Sequence, residues 1–240
     1  MVALGLGCMP VGNYHSARTL NRGESSLGFT FSSTTYTDPD DGDSVTIPGI
    51  IPEITYHVGV TDNLEVGGRV APGFLYGEVD AKYRFLRGEG LHLAVAPAVG
   101  QMAFLVTVTT VRLPLLLTYE LSPNFAFNAG VNATFWNVSN VDPDADEDSP
   151  FGVGDDHLTT TGVSLGVEIS GRTAYFRPSI EFTRGVFGAD DQREAFQLGA
   201  AVLHFGIIFG REMAAIDEMD RKLDEINDKL SWRYRYAPAE

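Results

Sequence analysis

Gly77 to Leu86 reads GEVDAKYRFL, and its alternation decides the fold. Glu78, Asp80, Lys82 and Arg84 occupy the even positions, and Val79, Ala81, Tyr83 and Phe85 the odd ones. A β-strand sends successive side chains to opposite faces, so four charges share one face and an apolar, aromatic set shares the other. One such strand is ordinary. The fold depends on whether the pattern repeats and on which face looks at water.

It does repeat. Turn signals such as TDN, RGEG, SPN and SGRT cut the chain into strand-length pieces. The pieces predicted on either side of the opening stretch are 25–36, 50–60, 64–73, 91–101, 109–121, 125–136, 159–170, 174–184 and 196–209. With 77–86 these make ten strands, joined alternately by short turns and by longer segments at 37–49, 102–108, 137–158 and 185–195, with a tight one at 74–76. Short turns on one side and long loops on the other are the layout of an outer-membrane barrel. The predicted fold class is therefore all-β: an antiparallel transmembrane β-barrel over 25–210, with a leader over 1–24 and a C-terminal amphipathic helix over 211–240.

A soluble β-sandwich or a lipocalin-like barrel satisfies the same alternation with its faces reversed. Two observations favour the membrane. The polar faces are rich in Gly, Ala, Ser and Thr, which suits a crowded interior. Aromatic residues also gather near strand ends, as interfacial girdles do: Tyr36, Tyr56, Phe74, Tyr76, Tyr83, Phe85, Tyr119, Phe125, Phe135, Trp136 and Phe182. Composition agrees, with 26 glycines, 15 phenylalanines and 9 tyrosines in 240 residues. A net charge of −15 argues against a nucleic-acid partner, because phosphate neutralisation needs a basic surface.

The run VTDNLEVGGRVAPG followed by GEVDAKYRFL resembles bacterial outer-membrane β-barrel proteins, and so does the leader GCMPVGNYHSARTLNRGE. The resemblance implies a barrel in the outer membrane, with both termini in the periplasm. Outer-membrane lipids and lipopolysaccharide are then its partners outside. It implies no specific activity.

Local irregularities are expected at four places. Pro97, Pro114 and Pro178 fall inside strands, where each removes a ladder donor, and bulges are the expected accommodation. The apolar phase of the last strand also breaks between Val202 and Leu203, as a bulge would cause.

The inward phase predicts a lumen charge network. Arg69, Lys82, Arg84, Arg112 and Arg177 face Glu53, Glu65, Glu78, Asp80, Glu120, Glu168 and Glu181. Charges inside a narrow barrel are expected to pair, since an unpaired buried charge is costly. Barrels of about 8 strands are filled by side chains and open channels belong to porins of about 16–18, so ten lie nearer the filled end.

Other features attach to the ends and loops. Cys8 follows MVALGLG, which resembles a lipobox only loosely, because Gly5 stands where Leu is expected. Acylation and a plain unpaired thiol both remain open. Met213, Ile216, Met219, Leu223, Ile226 and Leu230 form a narrow apolar stripe at helical spacing. That stripe suits a fold back onto the barrel mouth, self-association, or a periplasmic protein partner.

Asp142, Asp144, Asp146 and Asp148 alternate in a long loop like calcium ligands. Glu147 and Val153, however, stand where a calcium hand needs Gly and Glu. Loose recruitment of divalent cations is expected there, and no cofactor. Asp155, Asp156 and His157 resemble the acidic and His–Asp elements of the omptin proteases, ten-stranded barrels themselves, with no second matching motif. No nucleotide loop, zinc spacing or nucleophile elbow is present, so no catalytic residue is assigned. The predicted role is a non-enzymatic structural or binding platform, with a narrow pore as the alternative and a surface hydrolase behind both.

Overall fold

The computed structural model describes residues 15–37, 44–48, 52–71, 75–103, 106–140, 156–187, 194–210 and 222–223. Its strands are β1 (Ser25–Thr37), β2 (Ser44–Pro48), β3 (Glu53–Thr61), β4 (Leu64–Ala71), β5 (Tyr76–Arg87) and β6 (Leu91–Val95). They continue with β7 (Ala98–Ala103), β8 (Val106–Ser122), β9 (Phe125–Asn140), β10 (Asp156–Ser170), β11 (Ala174–Phe187) and β12 (Glu194–Phe209). Every pairing is antiparallel, and β12 closes on β1 from Ser25↔Phe209 to Thr37↔Gln197. β2 and β3 lie end to end along β1, and β6 and β7 end to end between β5 and β8, so twelve segments make ten staves. Closure leaves no free edge between the first and last strands.

The two faces differ in chemistry as the alternation requires. On β5, Val79 is 69% exposed and Glu78 only 5%. Around the barrel, Phe29, Val66, Val111, Leu115, Phe127, Val163, Ile180 and Phe205 point outward, while Thr30, Glu65, Arg112, Thr118, Asn132, Ser164, Glu181 and His204 are buried. An apolar exterior around a polar interior inverts the arrangement of a soluble barrel.

The irregularities fall elsewhere than predicted. All three prolines keep their strand registers: Pro114 pairs opposite Asn132 and Pro178 opposite Leu203, with no shift. Pro97 sits in a two-residue gap between β6 and β7 that keeps the same register against β8, and its carbonyl accepts from Ala81 N at 3.1 Å. Each proline simply omits one donor. β12 is likewise continuous through Val202 and Leu203. Its apolar phase breaks because Leu198, Ala200 and Val202 face the lumen, not because the backbone bulges. Register shifts occur instead at Gly59/Thr61, Arg84/Leu86 and Glu120/Ser122, all beside the short-turn end.

Strands also run further toward the long-loop end than predicted. The segment 102–108, read as a loop, contains the end of β7 and the start of β8, and part of 37–49 is β2. Of the segment read as a helix, only Lys222 and Leu223 are described, and both are exposed.

Candidate functional site

The lumen holds the charged residues, in two tiers. Toward the long-loop end, Arg69 bridges Glu53 (Nη1–Oε2, 3.0 Å) and Glu78 (Nε–Oε1, 3.1 Å). Arg112 Nη2 approaches Glu78 Oε1 at 2.6 Å, and Tyr76 donates its hydroxyl to Glu78 Oε2 at 2.7 Å. Two guanidiniums and a phenol thus converge on one carboxylate, the arrangement that lets buried charge persist without water. Across the lumen, Asn132 donates its side-chain amide to Glu181.

The short-turn tier contains a segment that does not belong to the wall. Residues 15–20 run into the barrel, with Ala17 0% exposed and His15 and Ser16 buried, while Asn21, Arg22 and Gly23 are exposed before Glu24 is buried again. Arg18 Nη1 meets Glu120 Oε1 at 3.1 Å, and its other terminal nitrogen pairs with Glu168. Glu168 also takes Arg177 Nε at 2.6 Å. Ala17 N donates to Thr118 Oγ1 (2.8 Å), Leu20 N to Glu65 Oε2 (2.9 Å) and Thr19 Oγ1 to the Asp62 carbonyl (2.6 Å). The wall thus satisfies the backbone donors of Ala17 and Leu20, as buried peptide groups require.

Glycines make room for this contact. A Cβ at Gly59 would collide with the carbonyl oxygens of Asn21 and Leu20, so only Gly lets the leader lie against β3 there. Gly23 N and Gly59 N then exchange bonds with Gly59 O and Glu24 O, each at 2.9 Å. A Cβ at Gly67 would strike the His57 ring.

Four histidines share this tier. His57 Nε2 lies 3.0 Å from Asp80 Oδ2, and the His15 ring stands edge-on to the His57 ring at 5.3 Å. His204 is held between Thr30 Oγ1 (2.7 Å) and Tyr175 OH (3.0 Å), and His92 Nε2 lies 3.2 Å from Glu120 Oε1. A polar cavity of about 360 Å³ opens among Arg18, Glu65, Lys82, Arg84, Glu168 and Arg177.

All twelve residues named for the network sit on the lumen side of their strands, and Lys82 pairs with Glu65 at 3.0 Å. Arg84 instead binds the Asp62 carbonyl (2.5 Å) and the Asn63 side chain (3.2 Å) at a turn. Two aromatics expected in the girdle face inward. Tyr76 is 4% exposed and Trp136 7%, and Trp136 donates to Thr160 Oγ1 at 3.1 Å. Tyr56, Tyr83, Phe85, Tyr119, Phe135 and Phe182 are exposed on the outer face.

His157 lies on the outward phase at the start of β10 and is exposed. Cys8, Asp142, Asp144, Asp146, Asp148, Asp155, Met213, Ile216, Met219, Ile226 and Leu230 lie outside the described residues. Sequence reasoning missed Arg18, His15, Tyr175 and His204. The last two were marked only by sitting on the inward phase of their strands.

A closed barrel, apolar outside and charged inside, is built to stand in lipid. This is a membrane-type β-barrel. No family model and no curated protein sequence matches the chain. Solved structures do resemble it in fold. An outer-membrane channel from Pseudomonas putida F1 is 9% identical, with a TM-score of 0.47, covering 82% of this chain and 100% of that one. The attachment invasion locus protein Ail of Yersinia pestis is 10% identical, with a TM-score of 0.37, covering 78% and 99%. The outer-membrane protease OmpT of Escherichia coli is 9% identical, with a TM-score of 0.36, covering 80% and 99%. The barrel thus resembles proteins whose names describe a channel, an attachment protein and a protease.

Proposed function

We propose that this barrel stands in the bacterial outer membrane as a non-enzymatic structural and binding platform. Its short turns and both termini face the periplasm, and its acidic loops face a lipopolysaccharide-rich exterior. One observation carries the reading: the lumen is occupied from two sources, the wall network around Glu78 and the leader docked through Arg18. Paired charges at 2.6–3.1 Å leave little for a passing solute to bind without first breaking an ion pair. The C-terminal segment 211–240 is offered to a periplasmic partner or to a second copy of the chain.

Planar-bilayer recording of the purified full chain tests this. A silent bilayer is expected, and stable stepwise channels overturn it. The leader itself favours a second reading, because it is not part of the wall: a narrow pore with a plug. That reading requires a variant lacking residues 15–22 to conduct while the full chain does not. If both are silent, the platform stands.

A further inference from the structure

His15, His57 and Glu65 come from three separate stretches of chain, the leader, β3 and β4, and converge at the inner end of the leader. Each offers a ligand atom, and these atoms all lie within 4.8 Å of one another. All three residues are buried, beside the polar cavity of about 360 Å³. We propose that this cluster binds a divalent transition-metal ion of the zinc class, which ties the leader to the barrel wall.

The donor set fits that class. Imidazole nitrogens with one carboxylate suit zinc and its neighbours, whereas calcium and magnesium take oxygen ligands almost alone. In a tetrahedral zinc site with bonds of about 2.0–2.1 Å, ligand atoms stand about 3.3–3.4 Å apart. Closing from 4.8 Å therefore asks for at most about 1.5 Å, shared between two side chains, which a rotamer adjustment supplies. Three protein ligands leave a fourth position for water, and the adjoining cavity has room for it.

The surroundings resemble the outer shell of a metal site. Asp80 Oδ2 holds His57 Nε2 at 3.0 Å, which fixes the ring, as the carboxylate does in carboxylate–histidine–metal arrangements. Charge is the opposing consideration, because Lys82 Nζ sits 3.0 Å from Glu65 Oε1. Asp80 and Glu65 outnumber that ammonium by one charge, and Arg177 is matched separately by Glu168. A carboxylate has about four acceptor positions on its two oxygens, so Glu65 can hold Lys82, Leu20 N and a metal together.

The test uses the full chain refolded in detergent, stripped by chelator, equilibrated with Zn²⁺ and gel-filtered, with retained zinc measured by mass spectrometry. Retention of about one zinc per chain is expected. Affinity should fall at least about 10-fold for His15→Ala and for His57→Ala, and about 10-fold or more for Asp80→Asn. His157→Ala, on the outer face, should bind as the wild type does. No retained zinc, or zinc that survives both His15→Ala and His57→Ala, overturns the proposal, as does loss with His157→Ala alone. Should those histidine variants fail to fold, Co²⁺ added to the wild type decides. A strong visible ligand-field band of low-coordinate cobalt supports the site, and the weak spectrum of aqueous Co²⁺ overturns it.

Discussion

Arg18 and Glu168 form an ion pair across 150 positions of sequence, joining the leader to β10 inside the barrel. Glu168 is almost fully shielded and shares Arg177 as a second cation, so the leader completes a charge cluster the wall leaves open to it.

Arg18→Ala is expected to cost about 1.5–3 kcal/mol, the range for a hydrogen bond to a charged group. The loss stays moderate because Arg177 continues to neutralise Glu168. Urea unfolding in lipid vesicles, followed by tryptophan fluorescence, measures it. An unchanged midpoint would mean the leader contributes nothing to stability.

Replacing Gly59 by Val should dislodge the leader while leaving the staves paired. The new side chain would occupy the place of the Asn21 and Leu20 carbonyls. Limited trypsin digestion reads this directly: cleavage after Arg18 is slow in the wild type and fast in Gly59→Val. Equal rates in both proteins would show that the leader is not held against β3.

The Glu78 cluster is the costliest place to remove a charge. Glu78→Gln removes the carboxylate that Arg69 and Arg112 both bind, and a loss of about 3–5 kcal/mol is expected. Glu53→Gln should cost less, since Arg69 keeps Glu78. Unfolding midpoints of the two variants, compared in the same detergent, check the order.

Val163 lies midway along β10 on the outer face, opposite Val131 and Phe182. Val163→Arg should destabilise the barrel in lipid by about 2–4 kcal/mol, the cost of a cation at the bilayer midplane. Unfolding from vesicles measures it, and a cost near zero would argue against burial of this face in hydrocarbon.

How much of this the sequence revealed turns on phase. Strict alternation placed Glu78 and Val79 on their faces, and the same phase, carried one step further, puts Tyr76 and Trp136 inside. The girdle rule misled there because it weighs residue type over position, and both rings have a hydrogen-bond partner in the lumen. Val202 teaches the same lesson in reverse: an apolar residue on the inward phase changes what the lumen contains, not how the backbone runs.

The docked leader was not legible. Residues 15–24 show no alternation or helical period, and their partners Thr118, Glu120 and Glu168 become neighbours only when the sheet curls. Prolines were misread because a strand tolerates one missing donor when its neighbours on both sides hold the register.

The leader's contacts also set an order of events. Arg18 meets Glu120 and Glu168, 102 and 150 residues further along, and both must be in their staves before it can settle. A segment that precedes the wall in sequence is therefore placed late, after more than half of the wall exists. Resistance of Arg18 to protease then becomes a clock for assembly, striking only when the cylinder has formed around it.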